Sequence, residues 1–246
     1  MKGSICYWCG AKANSMEHVP PKCLFPEEKD VKEITKKNYR DNLIRVTSCD
    51  EHNLKKSNLD EYLMVHLSGR VGNYFVAYLN TATKINRIKL RNPKVFKIDR
   101  PDVVKIKGKE FPVLWVDIDT GKLAYSFESI ARGLYFYEYG DNFIGKCLAI
   151  TKLFKNSDNP EASKYIDRSF EIIENEKKYW NTEIKGSNPE IFTYQFSKVD
   201  GFNCQTLALN FYGGTVVYVI LDGMTEEQKK KAEPSLKMIE SIFFSD

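Results

Sequence analysis

Apolar positions repeat with helical spacing in some stretches of the chain and gather into short β-forming runs in others. Together the two patterns predict most of its elements. Leu54, Leu59, Tyr62, Leu63, His66 and Leu67 recur mostly at steps of three and four, which marks the apolar face of a helix over 50–68 with Ser48 or Asp50 as its cap. A second helix is expected over 71–80, an apolar one over 123–139 and another over 160–179. Short runs at 43–46, 104–107, 113–117 and 149–154 read as strands. Residues 191–196, 204–211 and 215–221 read as an antiparallel meander with Gly213-Gly214 at its tight turn. Thr225 and Gln228 spell a capping box that opens a last helix ending near Phe244. Residues 1–47, rich in Lys, Pro and turn formers, read as an irregular knuckle with short strands.

The pattern changes around residues 92–101, so the boundary falls there: a module over 1–94 and an α+β domain over 95–246 whose helices cover an antiparallel sheet. Charge divides at the same place. Residues 1–94 hold 17 Lys and Arg against 10 Asp and Glu, about +7, whereas residues 95–246 hold 20 against 23, about −3. A basic half of this kind suits a polyanionic partner. The longest apolar run, 215–221, is far too short to span a bilayer, and Met1-Lys2-Gly3-Ser4 leads into no apolar signal segment. A cytoplasmic protein is therefore expected, whose six cysteines are reduced and whose paired cysteines serve metal binding in preference to disulfides.

Two short hooks, Cys6-x2-Cys9 and Cys49-x2-His52, have the spacing of a split structural zinc site, because each hook chelates with two side chains. Cys23, Cys147 and Cys204 fit neither hook and read as buried thiols. Between the hooks lies Glu17-His18-Val19-Pro20-Pro21, and Asn53 follows the second hook. Hydrolysis of a phosphodiester needs a base for the attacking water and a divalent cation for the charge that develops on phosphorus. His18 suits the base, while Glu17 and the Asn53 amide are oxygen ligands for Mg2+ or Mn2+. Neighbouring strand residues face opposite ways, so Glu17 and His18 need a bend to converge, and Pro20-Pro21 suggests one.

This combination resembles the HNH endonuclease family, the ββα-metal nucleases. The resemblance covers residues 5–68. It implies a zinc-stapled ββα fold that cleaves DNA with one divalent cation, His18 acting as general base and Glu17 and Asn53 holding the catalytic metal. It also implies that Asn42, in Asn42-Leu43-Ile44, orients the catalytic loop and that Cys6, Cys9, Cys49 and His52 are the zinc ligands. The chain departs from the family pattern in having Glu at position 17, where Asp is commoner, and His at position 52, where Cys is usual. The second departure leaves a rival assignment open, in which His52 binds the catalytic metal and no structural zinc forms. Small members of this type resemble restriction or anti-phage defence effectors. A non-catalytic zinc-containing nucleic-acid-binding protein and a metal-dependent RNase are the competing readings.

Lys22, Arg45, Lys55 and Lys56 are candidate contacts to backbone phosphates. The C-terminal domain is expected to select substrate, to sense a signal or to form a homo-oligomer. His66 lies on an apolar helix face and reads as a core histidine. Gly140-x4-Gly145-Lys146 imitates a phosphate-binding loop, but Cys147 lacks the hydroxyl that such a loop needs for magnesium. Tyr135, Phe136, Tyr137 and Tyr139 read as core packing before base stacking.

Overall fold

The computed structural model describes residues 5–54, 57–106, 108–156 and 158–243. The fold is mixed α+β with antiparallel sheets. Strands β1 (Ser15–His18) and β2 (Arg45–Ser48) pair in register, with His18 opposite Arg45 and Ser15 opposite Ser48. Helix α1 (Glu28–Thr35) lies in the connection between them, and α2 (Asp50–Leu54) follows β2, so the order β-β-α closes the N-terminal unit. Sequence reading had left 1–47 without a helix. The eight residues of α1 are mostly charged and bury Val31, so the segment carries little apolar periodicity.

The helix expected over 50–68 appears as α2 and α3 (Ser57–Ser68). The helix expected over 71–80 is α4 (Phe75–Arg91), displaced and longer because Val76, Ala77, Asn80, Lys84 and Ile88 make one buried face that includes polar side chains. His66 is a core residue, its Nδ1 2.8 Å from the Tyr62 carbonyl. The hairpin β3 (Lys97–Ile106) and β4 (Lys109–Asp117) is longer than the two short strands expected and stands largely exposed. The helix α5 (Thr120–Tyr139) starts at a cap where the Asp119 carboxylate accepts from the Lys122 amide and ends at Gly140 in the left-handed region. That glycine terminates a helix, which disposes of the phosphate-loop resemblance. Along α5, Tyr135 and Phe136 pack against the core while Tyr137 and Tyr139 are exposed.

The large sheet has the order β5-β9-β8-β7-β6, formed by β5 (Lys146–Ile150), β6 (Lys185–Asn188), β7 (Phe192–Phe196), β8 (Cys204–Phe211) and β9 (Thr215–Asp222). The strand expected over 149–154 starts earlier and passes into a short 3-10 turn at Lys152–Phe154. Alternation sends Leu207, Leu209, Val217 and Val219 to the face that joins the main core with α5. Ala208 and Tyr218 go to the opposite face, where they meet Phe170 and Ile173 of α6 (Pro160–Lys177). The capping box forms as read: the Gln228 amide donates to Thr225 Oγ1 and the Thr225 amide to Gln228 Oε1, ahead of α7 (Glu226–Phe243).

The main core runs from Cys6 to Leu221 and includes Val19 and Val46 of the N-terminal unit together with Leu123, Phe127, Ile130 and Leu134 of α5. Among the described residues no helix is long and apolar enough to cross a membrane. At Gly133 helix α5 runs close against Val19, since a Cβ there would lie 2.7 Å from Val19 Cγ2. Alanine is the better helix former by about 1 kcal/mol, yet Gly133→Ala is expected to lower stability by about 1–3 kcal/mol through overpacking against a stiff β-branched side chain. Thermal unfolding measures the sign, and Val19→Ala in the same chain is expected to restore part of the loss.

Candidate metal centre and basic face

The first hook is a tight knuckle. The Gly10 amide donates to the Cys6 carbonyl at 3.0 Å, and Gly10 takes φ +71°, which glycine adopts without strain. The second hook straddles the end of β2 and the first turn of α2, where a three-residue step brings Cys49 and His52 to one side. Cys6, Cys9, Cys49 and His52 present ligand atoms that all lie within 4.8 Å of one another. Cys9 and Cys49 sulfurs are 3.9 Å apart, and His52 Nδ1 is 3.2 Å from Cys49 Sγ and 3.8 Å from Cys6 Sγ. Tetrahedral zinc with ordinary bond lengths separates its ligand atoms by about 3.6–3.8 Å. Three thiols and one imidazole at these spacings can hold a metal ion such as zinc.

Burial pushes the Cys6 thiol up, but the backbone amides of Cys9, Cys49 and Trp8, which donate to its sulfur, outweigh burial and leave it below its usual range. Cys9 of the same hook is shifted the other way, up, by burial, by its hydrogen bonds with Cys6 and Cys49 and by the charge of Cys6. The His52 ring stacks on Trp8 at 5.2 Å, Trp8 stacks on Tyr125 of α5 at 5.1 Å, and the Arg132 guanidinium lies 5.1 Å from the Trp8 ring. Arg132 in turn donates to the Phe143 and Gly145 carbonyls, so the centre is bolted to the body. His52 turns its Nδ1 toward the cysteine sulfurs. Cys23, Cys147 and Cys204 lie apart and are half-buried, not enclosed, with burial pushing the first two up to about 12.

The bend expected after Glu17 does not occur, because β1 stays in register with β2 through His18. Glu17 is 7% exposed and points inward, its Oε1 3.5 Å from the Tyr7 hydroxyl, which lies 2.7 Å from Ser129 Oγ on α5. Asn53 donates to Ser15 Oγ at 3.0 Å, and Ser15 shares the Glu17 face of β1. His18 projects from the other face, beside Arg45, its cross-strand partner. Burial, then the charges of Arg45, Lys22 and Arg40, hold its imidazole below the usual range. Neutral imidazole is therefore its resting form near neutral pH.

Lys22 opens the 3-10 turn Lys22–Leu24 and is exposed, as is Arg45. Lys55 and Lys56 lie outside the described residues. Asn42 stands just before β2 in the left-handed region, its carbonyl accepting from Ser187 Oγ at 3.3 Å, and its side chain is exposed. Arg40, Tyr7 and Ser129 were not singled out from sequence. Arg40 offered only its charge, and the Tyr7–Ser129 contact joins residues 122 apart, which no local pattern encodes.

Comparison with protein-family models, curated proteins and solved structures finds no match to this chain.

The purified protein is expected to hold one equivalent of zinc at the Cys6, Cys9, Cys49 and His52 centre. Cys49→Ala is expected to lose it and to cost at least about 3 kcal/mol, a fall in melting temperature of roughly 6–12 °C for a chain of this length. Elemental analysis beside thermal unfolding measures both. Retention of zinc and stability in Cys49→Ala would remove the assignment.

Proposed function

We propose that this protein is a metal-dependent endonuclease of the HNH type that hydrolyses phosphodiester bonds in DNA. The observation that carries the reading is the setting of His18. A half-buried imidazole at the end of β1, in a β-β-α unit beside a three-cysteine, one-histidine centre, is surrounded by Lys22, Arg40 and Arg45. Cations gathered around an uncharged base repel one another until a polyanion arrives, and they then hold its phosphate beside the base.

In this reading His18 takes the proton from the attacking water, and Lys22, Arg40 and Arg45 hold phosphate. The resemblance assigns Mg2+ or Mn2+ to Glu17 and Asn53, but Glu17 faces inward from β1 and Asn53, on α2, donates to Ser15 on that same side. An ion held there would supply positive charge on the far side of the strand from a phosphate beside His18. Zinc at the cysteine centre supplies folding energy instead of chemistry. Because Glu17 and His18 face opposite sides of one strand, the proton-accepting role of His18 stands apart from any ion held at Glu17. Asn42 would set the conformation of the loop that leads into β2. Paired thiols that serve a metal suit a reducing compartment such as the cytoplasm, in which restriction or defence is a fitting role.

Supercoiled plasmid with Mg2+ or Mn2+ tests the proposal. The parent is expected to nick or linearise it, EDTA to stop it, and His18→Ala to slow it by at least about 100-fold, the value of a general base. The His18→Ala melting temperature and duplex affinity should stay near those of the parent. Cleavage of RNA but not plasmid would make it an RNase. Duplex binding without any cleavage would leave a binding module.

A further inference from the structure

A cleft of about 150 Å³ opens between the segment 22–40 and α4, lined by Arg40, Lys84, Arg87 and Arg91 with Glu27 and Glu61 among them. Such a volume is below the roughly 300 Å³ at which pockets for drug-sized ligands begin, so it suits a group the size of phosphate better than a nucleoside. Its walls are fixed by buried polar contacts. Asn80 donates to the Cys23 and Leu24 carbonyls at 3.2 and 3.0 Å, and the Tyr212 hydroxyl, from the turn between β8 and β9, donates to the Leu24 carbonyl at 2.6 Å.

Lys84 is the central observation. It is 6% exposed, and its ammonium donates to the Cys23 carbonyl at 2.8 Å and the Phe25 carbonyl at 3.0 Å. An ammonium has three donors, and the third finds no acceptor among the described residues. No carboxylate pairs with Lys84 among them either. Burial pulls the group down to about 8, which leaves it mostly charged at neutral pH. Two of the flanking arginines reach carboxylates at the limit of a pair, Arg40 to Glu27 and Arg87 to Asp30 both at 3.5 Å, while Arg91 pairs closely with Glu61. The two long pairs exchange readily for the charge-assisted bonds that phosphate offers.

We propose that this cleft is a phosphate subsite for the nucleic-acid strand being cut, in which Lys84 and the Arg87 and Arg91 face of α4 bind a backbone phosphate next to the one at His18. The inference rests on the nuclease reading and extends it onto α4. Arg40 joins the two places, since it lines the cleft and its charge acts on His18. The 3-10 turn does the same, with Lys22 at its start and the carbonyls that hold Lys84 at its end.

Binding of a fluorescein-labelled duplex to the full-length His18→Ala protein, followed by anisotropy across a salt series, tests the subsite. Adding Arg87→Ala and Arg91→Ala, both exposed, is expected to raise Kd about tenfold and to reduce the slope of log K against log salt by roughly one to two. The same charge loss off the cleft, Lys89→Ala with Lys94→Ala, is expected to have a smaller effect. Equal Kd and slope in the arginine variant, or equal effects of the two pairs, would overturn the subsite. Inorganic phosphate supplies a second arm. If it raises the melting temperature through Arg87 and Arg91 while duplex binding ignores them, the cleft takes free phosphate and the strand assignment falls. A parent that binds duplex through the cleft but cuts nothing keeps the subsite and loses the nuclease, and a parent that cuts regardless of Arg87 and Arg91 does the reverse.

Discussion

The architecture turns on how closely one helix can approach one short hairpin. On α5, Ser126, Ser129 and Gly133 fall at steps of three and four and share a face, and all three are buried. Each is small. Ser126 bonds back to the Lys122 carbonyl, Ser129 meets the Tyr7 hydroxyl, and Gly133 leaves room for Val19. A larger residue in that stripe would push β1 and the cysteine knuckle away from the body. The hairpin has few other supports, because its two strands are four residues each and a two-stranded sheet is marginal alone. The neighbouring side of α5 carries Leu123, Phe127 and Ile130 into the main core, which the large sheet also enters. The helix therefore serves as the shared wall of both parts of the molecule.

The metal centre supports the same hairpin from its other end. Its two hooks lie about 40 residues apart, and bringing them together closes the long connection that holds α1 and the 3-10 turn. With hooks at one end and α5 behind, β1 has no freedom to bend. The pleat then decides the chemistry on offer: Glu17 is committed to the interior with Tyr7, and His18 to a basic outer face with Arg45.

What the sequence revealed and what it hid follow the range of the interactions. The hooks, the capping box at Thr225, the core character of His66 and the meander at Gly213 were legible, because each is a local spacing or a local period. Tyr7, Ser129 and Gly133 were not legible, since small or polar residues on an apolar helix gain meaning only from a partner far along the chain. The expected bend at Glu17 failed for a related reason. Pro20-Pro21 ends β1 without distorting it, and the pairing with β2 that holds His18 in line comes from residues 45–48. Helix α1 was missed because it buries so little.

The cations of the N-terminal half carry the remaining argument. Elsewhere on the surface both kinds of cation occur: Lys37 sits against Glu190 and Lys155 against Asp167, whereas Lys146 and Lys198 have no carboxylate partner among the described residues. Around His18, among the described residues, neither Lys22 nor Arg45 has a carboxylate partner, and Arg40 reaches Glu27 at 3.5 Å. Stability alone gives no reason to gather cations at one strand end, because like charges oppose each other there and gain nothing from the fold. The net negative charge of residues 95–246 sharpens the contrast, since it repels a polyanion from the body and leaves the basic face as its landing place. A solvated charged surface would tolerate any arrangement of these side chains. One that places them around a neutral imidazole, and continues the same charge into a walled cleft with a buried lysine, is the distribution on which the proposed phosphate contacts rest.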